Sequence, residues 1–196
     1  MSQVLMADFI AGVSSGNLAS FPTDTVPALA VIPECAQLIF TAKQRSQTKP
    51  LILMGATASD LWQFATGSGS EWEIWQQVAA LYWPGAITLI LPASERVPPG
   101  INPTNSRTIG LRVPNCAIAQ KILSQTGPLA TTSANLSGQA PLQTMTEIAA
   151  MFPDVLTLLP TELAATDSVT GVPSTVIKWT GNGWKILRQG AVKFEL

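Results

Sequence analysis

The sequence predicts a single α/β domain, residues 1–196, built on a mixed β-sheet. Three observations carry that expectation. Short apolar runs of strand length alternate with segments whose apolar residues recur at helical spacing. A Gly181-Asn182-Gly183 turn between two such runs requires an antiparallel hairpin inside this alternation. Fifteen prolines and fourteen glycines are dispersed along the chain instead of clustered, which implies many tight connections and no flexible linker. No internal repeat or low-complexity tract is visible.

In chain order, Val4, Leu5, Phe9, Ile10 and Val13 mark a first helix, with Gly16 suited to end it. Leu18 to Phe21 reads as a strand. A second helix is expected from Glu34 to about Arg45, with Leu38, Ile39 and Ala42 on one face and Pro50 as its latest stop. Leu51 to Met54 has strand length, and Ala58 to Ala65 and Glu71 to Tyr82 have helical patterns in which Trp62, Trp72 and Trp75 are packing residues. Beyond the Trp83-Pro84-Gly85 turn, Ile87 to Leu91 and Ile109 to Val113 are strands, followed by a helix from Asn115 to Gln125. Leu129 to Thr132 is a strand entering the polar turn Ser133-Ala134-Asn135-Leu136-Ser137-Gly138, with a helix near Thr144 to Met151 after it. Val155 to Leu159, Ser174 to Trp179 and Trp184 to Leu187 complete the expected strands.

Composition excludes several chemistries. The chain has no histidine, which removes Ser-His-Asp hydrolases, Cys-His proteases and zincins. Cys35 and Cys116 have no CxxC partner and read as two buried, reduced thiols, so no metal site is expected. The N-terminus lacks a basic region and carries Asp8, and no apolar run approaches the roughly 18 residues of a membrane span, so a cytoplasmic location without membrane contact is expected. Charged residues are 12% of the chain, about half the roughly 25% of typical soluble proteins. With a net charge of −1, any contact with nucleic acid must come from a local patch. Neither a GxxxxGK[ST] loop nor a GxGxxG turn is present, so a nucleotide would be held without those devices.

Four segments concentrate polar residues at the ends of apolar runs. Pro22-Thr23-Asp24-Thr25, Thr131-Thr132-Ser133-Ala134-Asn135 and Pro173-Ser174-Thr175 supply hydroxyl and backbone donors suited to carboxylate or phosphate oxygens, although the same residues also serve as turn and helix-cap groups. Lys43, Arg45 and Lys49 put three of eleven cations within seven residues. They suit a polyphosphate, or they decorate a solvated helix end. Arg112 and Arg188 end apolar runs, where a guanidinium generally has an anion to meet, and Thr108 precedes Arg112 by four residues.

Taken together and in this order, Phe21-Pro22-Thr23-Asp24-Thr25-Val26, Lys43-Gln44-Arg45 with Lys49-Pro50-Leu51, Trp83-Pro84-Gly85 with Thr88, Thr108 to Pro114, Thr132 to Gly138, Pro173 to Val176 and Ile186 to Gly190 resemble the YrdC-type threonylcarbamoyl-AMP synthases. The resemblance covers roughly residues 18 to 192. It implies a twisted, open sheet flanked by helices, with a cleft that holds L-threonine beside ATP. It further implies Thr25, Arg112, Thr131 and Ser174 at threonine, and Lys43, Arg45, Lys49, Thr108, Ser133, Asn135 and Arg188 at the nucleotide, with Lys43 and Arg45 as the catalytic cations. Mg2+ would accompany ATP, and bicarbonate would be the third substrate. The product would enter a tRNA modification, with tRNA or double-stranded RNA and proteins of that pathway as further partners. Two rival readings are a non-catalytic RNA-binding protein using the Lys43, Arg45 and Lys49 patch, and a synthase acting on another small substrate.

Three departures from the family pattern stand out. Pro27-Ala28-Leu29 follows Val26 where the family usually continues Tyr-Gly-Leu, so an aromatic wall of the expected pocket is missing. Met54 occupies a position where some members place a histidine. No counterpart of the extra C-terminal domain of some members is expected after Arg188.

Overall fold

The structure, a computed structural model, describes residues 3–104, 107–163 and 170–195. The strands are β1 (Gln3–Val4), β2 (Ala19–Phe21), β3 (Ala28–Val31), β4 (Ile52–Met54), β5 (Ile87–Pro92), β6 (Thr108–Arg112), β7 (Leu129–Ser133), β8 (Leu156–Leu158), β9 (Thr175–Trp179) and β10 (Trp184–Arg188). They form one mixed sheet in the order β1-β8-β2-β3-β7-β4-β6-β5-β9-β10. The helices are α1 (Met6–Ser14), α2 (Gln37–Lys43), α3 (Ala58–Trp62), α4 (Gly69–Tyr82), α5 (Ala117–Thr126) and α6 (Met145–Met151).

Strand alternation divides the sheet into two faces. One face presents Leu29, Leu53, Leu89, Leu111, Ala130 and Ile177, and packs against Ile39 and Phe40 of α2, Leu61 of α3, Trp75 and Val78 of α4, and Ile148 of α6. The other presents Ala19, Phe21, Ala30 and Leu129 to Met6, Phe9 and Val13 of α1 and to Ile118, Ile122 and Leu123 of α5. Those two helices cover only part of the second face. The remainder, across β7, β4, β6, β5 and β9, forms the floor of a cleft.

Several local expectations require correction. Val4 lies in β1, and Leu5 is the residue before α1 with half its surface exposed, because β1 adds to the sheet edge beside β8 before the helix begins. Strand β3 is absent from the sequence reading. Its four residues, Ala28-Leu29-Ala30-Val31, are buried on both faces and show no polar alternation. The second helix is preceded by a 3-10 turn at Pro33–Cys35 and stops at Gln44, whose φ of 50° ends it well before Pro50. Its buried face is Ile39, Phe40 and Lys43, while Leu38 is exposed. Helix α3 ends at Trp62, short of the expected Ala65. Cys116 is buried but Cys35 is only partly so. The hairpin forms as expected, with Thr180 N donating to Gly183 O at 2.9 Å between β9 and β10. Trp75 is fully buried, and Trp62 and Trp72 pack against the same core.

Candidate active site

Cross-strand register assembles the cleft floor row by row. Thr131, Ile52, Gly110 and Ile90 are successive partners on β7, β4, β6 and β5. Two residues along, Leu129, Met54 and Arg112 form the next row, with Thr88 and Val176 paired on β5 and β9. Because side chains on one face repeat every second residue, these positions share a surface. The cleft on this surface, which stops short of Leu129, has a volume of about 280 Å³ and includes Thr25, Arg45, Ser133, Ser174 and Arg188 at its margins. Gly110 keeps the middle of the floor open, since a Cβ there would lie 2.6 Å from Ile52 Cγ2.

Arg112 anchors one end. Its Nη1 donates to Thr25 Oγ1 at 2.8 Å, its Nη2 to Asp24 Oδ1 at 2.6 Å, and its Nε to Gly85 O at 3.2 Å. The guanidinium has five N–H donors, and two of them have no partner among the described residues. Burial lowers its pKa from the ordinary value, and the Asp24 carboxylate opposes that fall. The ion pair is 5% and 12% exposed on its two sides, sheltered enough for each partner to need the other. Thr25 is fixed in turn by Thr23, whose hydroxyl accepts from Thr25 N at 3.2 Å and donates to Val26 O at 2.7 Å.

Ser174 closes the same end from β9's entry. Its hydroxyl is 2.9 Å from Thr88 Oγ1, and its carbonyl accepts from Arg188 Nη2 at 2.8 Å and Nε at 3.1 Å. Arg188 is therefore aimed by backbone, and no carboxylate among the described residues pairs with it. Partial burial lowers its pKa. Arg45 stands at the opposite end near Pro50, where Nε donates to Lys49 O and Nη2 to Pro50 O, both at 3.0 Å. Burial lowers its pKa as well.

Lys43 occupies a different position from Arg45. It is 1% exposed, not on a solvated helix end, and it does not line the cleft. Its Nζ donates to Asn135 O at 2.6 Å, Asn135 Oδ1 at 3.2 Å and, most closely, to Ser133 O. Withdrawal from water, and secondarily the Arg45 charge, lower its pKa to about 7. The turn it grips is further tied by Ser133 Oγ donating to Asn135 Oδ1 at 2.5 Å and Asn135 Nδ2 donating to Gln139 O at 2.8 Å.

Of the residues expected at the two substrates, Thr25, Arg45, Arg112, Thr131, Ser133, Ser174 and Arg188 meet at this cleft. Lys43 and Asn135 lie behind the Ser133 turn, Lys49 is exposed, and Thr108 stands one row beyond the lining. The sequence reading did not single out Asp24 as a partner of Arg112, nor Thr88 as a partner of Ser174. Thr88 had a signal, a lone hydroxyl inside Ile87-Thr88-Leu89-Ile90-Leu91. Met54 and Ala28 do face the cleft, and Pro27 O accepts from Ala134 N at 2.9 Å, joining that wall to the Ser133 turn. The described residues contain no cluster of His, Cys, Asp or Glu suited to hold a metal ion, and no helix long and apolar enough to cross a membrane.

Comparison with known proteins places this geometry. A curated threonylcarbamoyl-AMP synthase of Pyrococcus abyssi is 33% identical over 187 residues, which is 93% of this chain and 53% of that protein. The chain thus spans about half the length of that relative. The enzyme of the same name from Vibrio vulnificus is 32% identical over 143 residues, 71% of this chain and 76% of its own. Among solved structures, P. abyssi Sua5 complexed with L-threonine superposes with a TM-score of 0.81 at 31% identity, covering 92% of this chain and 52% of that one. E. coli YciO superposes with a TM-score of 0.78 at 25% identity, covering 94% and 88%. The family profile described as "Telomere recombination", Sua5/YciO/YrdC, matches residues 12–190. With the motifs, the sheet and the cleft all in agreement, the chain belongs to the Sua5/YciO/YrdC family.

Proposed function

We infer that this chain forms L-threonylcarbamoyl-AMP and pyrophosphate from L-threonine, bicarbonate and ATP. The observation that carries the reading is the charge layout of the cleft floor: a buried, hydroxyl-bracketed Arg112 with Arg188 at one end, and Arg45 at the other. In this reading the two free N–H donors of Arg112 take the threonine carboxylate, with Thr25, Thr131 and Ser174 around it. Arg188 and Arg45 flank the phosphates, with Ser133 beside them and Lys43 holding the Ser133 turn in place. Threonine's amine and bicarbonate condense to a carbamate with loss of water. A carbamate oxygen then attacks the α-phosphorus of ATP, and pyrophosphate leaves. Such a displacement depends on alignment and on neutralised phosphate charge, so a cleft without histidine suffices. Among the described residues the carboxylate beside the cleft, Asp24, is committed to Arg112, so magnesium would arrive as a counter-ion of ATP. A cytoplasmic location and delivery of the product to tRNA modification proteins fit this chemistry.

The test is to incubate the protein with Mg-ATP, bicarbonate and threonine and to measure pyrophosphate and the adenylate. Threonine-dependent release of both is expected, with Arg45→Ala and Arg188→Ala each losing at least tenfold in kcat/KM while remaining folded, because a charge-assisted contact is worth roughly 1.5–3 kcal/mol. No adenylate at millimolar substrates, together with tight and salt-sensitive binding of duplex RNA, would instead favour a non-catalytic RNA-binding protein.

A further inference from the structure

Thr88 lies within the apolar strand β5 and is 1% exposed, yet it borders the cleft. Its methyl leans toward the open middle of the floor, since a Cβ placed on Gly110 would meet Thr88 Cγ2 at 3.5 Å. Its hydroxyl reaches instead toward the entry of β9, where Oγ1 stands 2.9 Å from Ser174 Oγ, and it has no second partner among the described residues.

By distance alone either hydroxyl of this pair could donate. The surroundings choose one direction. If Ser174 donated, the Thr88 proton would be left buried without an acceptor, which is costly. If Thr88 donates, its proton goes to Ser174 Oγ and the Ser174 proton is free to enter the cleft that Ser174 lines. Arg188 reinforces this order, because its Nη2 can only donate and stands 3.3 Å from the same Ser174 oxygen. A hydroxyl oxygen carries two lone pairs, so these two donors fill its capacity to accept. Ser174 then presents the cleft with a proton and no lone pair.

We propose that Thr88 is a positioning residue that fixes Ser174 as a dedicated hydrogen-bond donor and thereby sets which end of the amino acid it meets. The proposal rests on the threonine reading above and adds to it a residue that acts through Ser174. A carboxylate oxygen is accepted at Arg112 and Ser174. An amine turned to the same place would bring N–H donors against a guanidinium and a hydroxyl proton, with nothing to accept them. The amine is thus directed away from Arg112, toward the Ser133 end, where the carbamate formed on it has to reach the α-phosphorus.

Calorimetry with L-threonine and Mg-ATP as separate titrants tests this on wild type, Thr88→Val, Thr88→Ala and Thr88→Ser. Valine keeps the shape of the side chain and removes the donor, alanine removes it without placing a methyl beside Ser174, and serine restores it. Thr88→Val and Thr88→Ala should bind threonine about three- to tenfold more weakly, the range of one neutral hydrogen bond, and Mg-ATP within about twofold of wild type. Thr88→Ser should bind both as wild type does. In a Ser174→Ala background, Thr88→Val should bring no further loss, because its effect passes through that hydroxyl. Unchanged threonine binding in Thr88→Val and Thr88→Ala, or equal losses for threonine and Mg-ATP, overturn the positioning role and leave the activity standing. A serine variant as weak as the valine variant, or losses that add in the Ser174→Ala background, do the same. A wild type that binds Mg-ATP but no threonine removes the threonine reading and the role of Thr88 together.

Discussion

Lys43 illustrates how a single side chain can hold a turn of the candidate site together. Three carbonyl-type oxygens surround its amine, matching the three donors of an ammonium. No carboxylate among the described residues accompanies them. Burial and Arg45 therefore hold the pKa near 7, well below the ordinary value of 10.5. A lysine whose folded pKa is depressed leaves the unfolded chain binding more protons between the two values, so its contribution to stability grows as pH rises from about 7 to 10.5 and is lost as pH falls through about 7. Urea melts of wild type and Lys43→Met across pH 6 to 10 should show a wild-type stability that gains on the variant as pH rises, by at most about 1.4 kcal/mol per unit. A difference that stays flat with pH would mean that the amine is not titrating in this window.

At the scale of elements, the approach of the chain after β10 to the start of β9 controls the Ser174 end of the cleft. Gly190 N donates to Thr175 Oγ1 at 2.9 Å and Ala191 N to Pro173 O at 2.9 Å. A Cβ on Gly190 would lie 2.2 Å from Pro173 O and 2.4 Å from Ser174 C, both backbone atoms that cannot rotate away. Gly190→Ala should therefore cost about 1–3 kcal/mol, the usual range for forced overpacking, and weaken threonine binding more than ATP binding as Ser174 shifts. Denaturant midpoints and threonine titrations check this, and a variant as stable as wild type would show that the contact relaxes freely. The same region shows what was legible beforehand. Strand β9, the Gly181–Gly183 turn and β10 follow from apolar runs and turn chemistry, and so does the grouping of hydroxyl segments and arginines at one site. Strand β3 was not legible, because burial on both faces erases alternation. The burial of Lys43 was not legible either, because nothing in its neighbours announces the carbonyls contributed from Ser133 and Asn135, some ninety residues away.

Across the whole molecule, the sheet separates packing from chemistry. All six tryptophans, Trp62, Trp72, Trp75, Trp83, Trp179 and Trp184, lie on the core side with α3 and α4, and none lines the cleft. They form a connected series of ring contacts, from Trp62–Trp83 at 5.6 Å through Trp72, Trp75 and Trp179 to Trp184 at 5.3 Å. Edge-to-face stacking, which every pair in the series but the tilted Trp62–Trp83 adopts, adds about 0.5–1.5 kcal/mol per pair beyond area burial. The cleft face is instead bordered by loops, the segments before β3, after β7 and before β9, whose polar contacts can adjust around a ligand. Intrinsic fluorescence should accordingly report on unfolding and remain nearly silent on substrate. Saturating threonine and Mg-ATP should leave the tryptophan emission maximum in place while raising the melting temperature through mass action. In urea, the fluorescence transition should coincide with the far-ultraviolet circular dichroism transition, since the strands that carry the tryptophan core also form the cleft floor. An emission shift on adding threonine would show that ligand binding repacks the opposite face, and two separated transitions would show that the two faces of this sheet unfold independently.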